Sequence, residues 1–412
     1  MRKSADVVIL MQPSSNLTLL YPKSIDWEQF SQYRPVLVFE EETIEYLNAL
    51  SSSLLKDREC RIYPDVVTFA FFCRKSNLMK LKEQYCDSKV LRLGRGVLFH
   101  IAPSNVPINF AYSLVTGLLA GNTNVVRVSS KRFPQVDLVI RHCLLLADKK
   151  EYRNVGERIA LVRYDKSSDA NAYFSSIANV RVIWGGDATI ATIRQNPIRP
   201  RSFDVCFADR YSIAAIRPKA IMEASDAEMK RLAENFYNDT YLFDQNACSA
   251  PHLLFWLKEE SLEEAKDKFW DYIYEYTARK YNFQSVLSVD KLTEFYREAI
   301  AFSCHKVKTK DNLIVRTHLD SLPRNIDEFR CAGGYFQEFD IETLSQIAEV
   351  VTEKYQTLAY LGFDKKELEE FVMENRLRGL DRIVPFGQTT SFSLTWDGYN
   401  LIDTLSRIST IL

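Results

Sequence analysis

The chain lacks any charge imbalance: 53 lysines and arginines stand against 54 aspartates and glutamates, a formal net charge of -1 over 412 residues. No global field therefore favours nucleic acid or an anionic membrane, and an anionic ligand has to be held by local groups. Long apolar runs are missing too. The longest, Phe110 to Ala120, is far short of the roughly 20 residues that cross a bilayer, so it predicts a buried helix and no membrane span. The run after Met1-Arg2-Lys3, Val7 to Met11, is shorter than a signal-peptide core, which predicts no export signal and a cytoplasmic protein. None of the eight cysteines forms a CxxC pair or stands near histidines at zinc spacing, so neither a disulfide framework nor a metal is expected. Internal repeats and polar low-complexity stretches are absent as well.

What is present is a globular balance, 46% apolar and 26% charged, at a length suited to two domains. The expected division is 1–212 for an N-terminal region with a nucleotide-binding domain and 213–412 for a catalytic domain. The first ninety residues mix helical and extended signals, with a helix expected over Phe39 to Leu55. From there the periodicity sharpens. Val97 to Ala102 is a short apolar run, Pro107 to Leu119 repeats apolar residues at helical spacing, and Asn124 to Val128 is β-branched again. Gly121-Asn122 supplies the turn that ends the helix, and Pro107 sits near its start, where proline does least harm. Further strands are expected at Ile159 to Tyr164, Val180 to Trp184 and Tyr211 to Ile216, alternating with helices, which predicts an α/β chain with a doubly wound parallel sheet. Beyond Ile216, capping boxes announce helices at Ser225 with Glu228, Ser261 with Glu264 and Asp364 with Glu367.

One cysteine has special surroundings. Cys248 lies in Phe243-Asp244-Gln245-Asn246-Ala247-Cys248-Ser249-Ala250-Pro251, a loop of polar and small residues followed by the apolar strand His252 to Leu257. A thiol presented on such a loop, with backbone amides converging on it, suits covalent attack on a carbonyl; a buried packing cysteine is the alternative. The second piece is Pro103-Ser104-Asn105-Val106-Pro107, at the carboxyl end of a parallel strand. Asn105 is placed there either to cap the helix or to direct its amide at a developing oxyanion.

The joint order of motifs resembles the aldehyde-dehydrogenase superfamily. From Gly94 to Ser130 a glycine-bearing strand, P-x-N-x-P, a helix ending in Ala120-Gly121-Asn122-Thr123 and a strand ending in a basic residue and serine follow one another. Trp184-Gly185-Gly186-Asp187 resembles the superfamily's glycine turn against the cofactor phosphates, Gln245-x-x-Cys248 its nucleophile motif, and Pro385-Phe386-Gly387 its P-F-G segment. Asp381-Arg382-Ile383-Val384-Pro385 with Trp396-Asp397-Gly398-Tyr399 is most similar to the LuxC-like fatty acid (acyl-CoA) reductases. This resemblance implies an aldehyde-dehydrogenase-like fold, a Rossmann-type cofactor domain plus an α/β catalytic domain. It also implies catalysis by Cys248 and Asn105, with the oxyanion held by the Asn105 amide and the Cys248 backbone N–H. The first ninety residues then pack beside the cofactor domain or recognise the acyl donor.

Two departures set the expected direction and cofactor. Hydrolytic members carry a water-activating glutamate where this chain has Val205-Cys206-Phe207-Ala208-Asp209-Arg210, so Cys206 falls near that position, with Asp204 close enough to serve as a substitute. Without such a base, an S-acyl enzyme persists until it is reduced. Where NAD-preferring members carry K-P-S-E, this chain has Arg127-Val128-Ser129-Ser130 followed by Lys131 and Arg132, either a solvated basic loop or a seat for a 2′-phosphate. NADPH is the expected cofactor, held by Ser104, Arg127, Ser129, Ser130, Lys131, Gly185 and Gly186. The expected reaction is reduction of an acyl-CoA or acyl-protein thioester to the aldehyde through S-acyl-Cys248. Oxidation of aldehydes and a catalytically silent scaffold are the rivals. The resemblance further implies an acyl-protein synthetase as partner and leaves a homo-oligomer open, since the tail after Trp396 carries no evident extra strand for assembly. His252 follows Cys248 by about 13 Å along a strand and is read as structural.

Overall fold

The computed structural model describes residues 16–411 apart from 88, 148, 166 and 167; Met1-Arg2-Lys3 and the run Val7 to Met11 lie outside the described residues. The chain divides into two units, 1–208 with 399–412, and 209–398.

The first unit is built on a six-stranded sheet. Its strands, in chain order, are β1 (Thr18–Tyr21), β2 (Val97–Ile101), β3 (Thr123–Arg127), β4 (Ile159–Arg163), β5 (Val180–Trp184) and β6 (Phe203–Phe207), arranged β1-β4-β3-β2-β5-β6. All neighbours are parallel except β1 with β4. Strands β2, β3 and β5 are buried at every residue, as expected for strands covered on both faces. Helices alternate with them: α1 (Glu41–Lys56), α2 (Asn109–Leu119), α3 (Pro134–Ala147), α4 (Ala170–Ile177) and α5 (Asp187–Arg194). From β2 the chain proceeds outward to β3 and β4, then returns past β2 to β5. The strand order therefore reverses between β2 and β5, which pair along Ile101 and Ile183; a ligand crevice belongs at the carboxyl ends of that pair.

The second unit carries a seven-stranded sheet: β7 (Tyr211–Ile216), β8 (Pro251–Leu257), β9 (Cys304–Val307), β10 (Val315–Leu319), β11 (Tyr335–Ile341), β12 (Tyr355–Leu361) and β13 (Arg382–Pro385), in the order β9-β10-β11-β8-β7-β12-β13. Only β9 with β10 is antiparallel. Alternate residues supply two cores. Tyr211, Ile213, Ala215, Leu253 and Phe255 face one side, while Ala214, Ile216, Leu254 and Trp256 face the other. Helices α6 (Asp226–Thr240) and α7 (Leu262–Lys280) cover the second face, and α8 (Val286–Ala301) and α9 (Lys365–Asn375) are the other long helices of this unit.

Three expectations are corrected here. Tyr211–Ile216 is not the last strand of the nucleotide sheet but a central strand of the second one, paired with β8 and β12. A six-residue run that is buried throughout suits either parallel sheet equally, so its composition does not decide. The strand that does close the first sheet, β6, carries Asp204 within it, which interrupts the apolar pattern. Accordingly the units part after Ala208 rather than at 212, and the tail Tyr399–Leu412 belongs with the first unit. There Ser406–Ile408 pairs with Arg92–Gly94, and Asn122 donates to the Leu405 carbonyl at 2.9 Å. Finally, the boxes at Ser225 and Asp364 form, but Ser261 takes a left-handed φ of 62° and makes no side-chain cap. Among the described residues no helix is long and apolar enough to cross a membrane.

Candidate active site

The loop that carries Cys248 is held by the residue three positions before it. After the turn Tyr241–Phe243, Asp244 and Gln245 both adopt left-handed backbone, φ 53° and 59°. That reversal turns the Gln245 side chain inward, where it is 1% exposed. Its Nε2 donates to the carbonyls of Pro251 and Tyr335, both at 3.0 Å, while its Oε1 accepts from the amides of Gly334 at 2.9 Å and Tyr335 at 3.1 Å. One amide side chain thus makes four bonds and ties the loop to the start of β11 and β8. The Cys248 carbonyl is fixed separately by the Ser212 hydroxyl at 2.6 Å, which in turn accepts from the Thr357 amide at 3.2 Å. Cys248 is the one exposed cysteine among the eight.

The residue is exposed, yet protein surrounds its thiol closely enough to shape its acidity. Burial, followed by the carboxylates of Asp397 and Asp209, pushes Cys248 up to about 11, with Arg330 acting in the opposite sense. Arg330 is itself engaged, donating to both Asp209 oxygens at 2.7 and 2.6 Å and to the Arg210 carbonyl at 2.8 Å. At neutral pH the thiol is therefore held mainly in its protonated form, unlike a thiol beside an activating base. His252 supplies no such base: it is buried, stacked on Tyr211 at 5.6 Å, and pushed down to about 3 by burial and Arg330. Nothing in the local motif marks Arg330 or Ser212, which reach the loop through strand pairing and a distant segment.

In the first unit, Ser104 and Asn105 lie exposed on the loop after β2, and Gly185 and Gly186 follow its neighbour β5. Gly186 is the N-cap of α5, and a side chain at that position would meet nothing within 4 Å, so the turn is open to a ligand. Arg127 ends β3 but is turned inward, 8% exposed, with its guanidinium on the Tyr164 carbonyl at 3.3 Å and over the Tyr164 ring. It lies beneath the following segment. Ser129 is partly buried there, whereas Ser130 and Lys131 are exposed. Arg163, which the sequence does not single out, donates Nε to the Ser129 carbonyl at 3.0 Å, and its buried Nη2 has no hydrogen-bond partner among the described residues. An unpaired guanidinium N–H beside Ser129 suits an anionic group, so these residues fit a phosphorylated nucleotide.

Where the superfamily's glutamate would stand, Cys206 points its sulfur to Arg194, Nη2 to Sγ 3.4 Å. Asp204 is committed elsewhere. Arg181, 2% exposed, grips both its oxygens at 2.7 and 3.0 Å and spends its remaining donors on Ser175 and the carbonyls of Ile193 and Asn196. A carboxylate so bound to a buried cation is a structural ion pair, since freeing it would leave Arg181 uncompensated.

Two parallel-sheet units, one with a strand reversal between β2 and β5 and the other presenting a cysteine on a pinned loop, make up the fold of the aldehyde dehydrogenases. Solved structures agree. Lactaldehyde dehydrogenase from Escherichia coli superposes with a TM-score of 0.61 at 10% identity, covering 93% of this chain and 88% of its own. Aldehyde dehydrogenase 21 from Physcomitrella patens, crystallised with the reaction product succinate, gives 0.62 at 11% identity, covering 89% and 85%. The family model described as acyl-CoA reductase (LuxC) matches residues 75–280, half of the chain. The chain belongs to that family. A relative from Vibrio harveyi, a long-chain acyl-protein thioester reductase, is 20% identical in an alignment of 309 residues that covers 72% of this chain and 60% of the relative. The match thus spans less than two thirds of that relative's length.

Proposed function

We propose that the protein reduces an acyl thioester to the aldehyde, with NADPH as reductant and an S-acyl intermediate on Cys248. The observation that carries this reading is the combination of an exposed thiol on the Gln245-pinned loop with a Cys206, not a carboxylate, where hydrolytic relatives activate water. Family membership and the name of the Vibrio harveyi relative support the same class of substrate.

The Cys248 thiol gives up its proton, the sulfur bonds to the acyl carbon, the donor's C–S bond breaks, and a proton ends on the departing thiolate, so the exchange balances with no net acid or base. Backbone N–H at Cys248 supports the oxyanion, and the same role is assigned to the Asn105 amide by its motif. Ser104, Ser129, Ser130, Lys131, Gly185 and Gly186 would hold the dinucleotide, joined by Arg163, with Arg127 shaping the segment from below. When bound, the nicotinamide supplies the two electrons that the thioester carbonyl needs to become an aldehyde. Cys248 then departs as the leaving group and is restored as the thiol. The donor is an acyl-CoA or an acyl-protein, and in the second case an acyl-protein synthetase is the partner that loads it.

The test is stoichiometry. With an acyl-CoA or an acylated carrier protein as donor, one NADPH is consumed for each aldehyde formed, and withholding NADPH leaves an acyl enzyme with no free acid. Release of free acid at the same rate without NADPH rejects the reading.

A further inference from the structure

Away from the thiol loop, three ligand-type side chains of the first unit converge at one end of α1. Asp57 caps that helix, Cys60 begins the turn Cys60–Ile62, and His142 lies on α3, 82 residues beyond Cys60. The donor atoms are close: His142 Nε2 to Asp57 Oδ2 is 3.1 Å, His142 Nε2 to Cys60 Sγ is 3.6 Å, and all three lie within 4.8 Å of one another. Both Asp57 and Cys60 address the same ring nitrogen. A relay triad would place the acid on the other one, so this arrangement is not a nucleophile with an oriented base.

We propose that Asp57, Cys60 and His142 form a zinc-class metal site, three protein ligands with a water in the fourth position. Tetrahedral zinc, with bonds of about 2.3 Å to sulfur and about 2.0 to 2.1 Å to nitrogen and oxygen, sets its ligand edges at about 3.6 Å for S···N and about 3.3 Å for O···N. The two measured edges match those lengths to within a few tenths of an ångström. The other ring nitrogen is engaged as in metal-bound histidines: His142 Nδ1 lies 2.6 Å from the Ser53 hydroxyl, which fixes the ring and leaves Nε2 for the ion. Cys60 and His142 are buried, 1% and 4% exposed, whereas the Asp57 side chain is 25% exposed and gives the entry path. The mixed sulfur, imidazole and carboxylate set selects zinc over magnesium or calcium. Capture exchanges the Cys60 thiol proton for the metal, releasing one proton per ion.

Arg141 opposes the ion. Its Nη2 donates to the same Asp57 oxygen at 2.8 Å and to Glu59 at 2.9 Å. It is a guard whose removal must tighten binding, which makes it the sharpest test. A bound ion would clip the end of α1 to α3 and so stabilise the first unit.

The full chain is titrated with Co2+ as the spectroscopic probe and then with Zn2+ in competition. One cobalt per chain is expected, with a thiolate-to-cobalt charge-transfer band that Zn2+ abolishes. The band is lost in Cys60→Ser, retained in Cys248→Ser, and formed at about tenfold lower cobalt concentration in Arg141→Gln, where one competing cation is gone. A wild type without the band overturns the site, as does a band that survives in Cys60→Ser. Should Cys60→Ser fail to fold, Arg141→Gln decides alone, because its surface position spares the core and unchanged or weaker binding there contradicts the proposal.

Discussion

Gln245 touches no substrate in this account, and yet the geometry of Cys248 depends on it. Its four bonds satisfy two backbone amides and two carbonyls that have no water to turn to. Gln245→Ala leaves those groups unpaired, and a loss of about 2 to 4 kcal/mol in stability is expected, together with a kcat loss of at least about a hundredfold as the thiol loop drifts. Denaturant unfolding and single-turnover kinetics measure the two effects, and a variant with wild-type kcat contradicts the positioning role. The thiol itself carries a pH signature. With Cys248 held up to about 11, its thiolate fraction rises about tenfold per pH unit from 7 to 10. Iodoacetamide labelling of Cys248 should follow that slope, whereas a plateau by pH 8 would show an activated thiolate instead. At this scale the sequence was informative where a motif concentrated the signal, as at Gln245 and Cys248. Arg330, Ser212 and Arg163 were invisible, because each meets its partner across a long sequence separation, Ser212 and Arg163 from neighbouring strands and Arg330 from a distant loop, that no local pattern encodes.

Elements were legible according to how local their causes are. The succession β2, α2, β3 follows from apolar periodicity and turn residues that sit within forty residues of one another, and it lies within two residues of expectation. Strand β6 was not legible, since Asp204 is drawn into a strand only by Arg181 on β5. Ser261 failed as a cap because its backbone turns left-handed, which a sequence pattern does not register. The segment after β3 tests the cofactor reading: Ser130→Glu, placing a carboxylate where a 2′-phosphate would sit, should raise the KM for NADPH at least about tenfold and spare NADH. Equal effects on both cofactors would contradict it.

Helix α8 offers a test of stability. Glu298 is fully buried there and accepts from the Gln337 amide at 2.6 Å. Burial raises its carboxyl from an ordinary 4.5 to about 7, only partly offset by bonds from Gln337, Tyr335 and Thr317. The folded chain thus holds this proton more tightly than the unfolded chain. The resulting stability is complete below about pH 4.5 and is lost as pH rises through 7. Glu298→Gln keeps a hydrogen-bonding group without the charge. Its stability relative to wild type should climb between pH 5 and pH 8, toward a ceiling of about 3 kcal/mol; a Tm difference that stays constant across that range would contradict the assignment.

For the whole molecule, the return of the tail to the first unit has no signal in the sequence. Leu401, Ile402 and Leu405 are buried, and Ser406–Ile408 completes a strand pair with Arg92–Gly94. Truncation after Gly398 should therefore remove hydrogen-exchange protection at Arg92–Gly94 and Asn122 while leaving β7 and β8 protected. Equal loss in both sheets would contradict the division. The most direct test of the central claim, covalent reduction at Cys248, is peptide mapping after incubation with labelled acyl thioesters of graded chain length. The account predicts one label per chain, on the Cys248 peptide, absent from Cys248→Ala, and discharged as aldehyde when NADPH is added. A label that persists in Cys248→Ala, or that NADPH does not discharge, would contradict it.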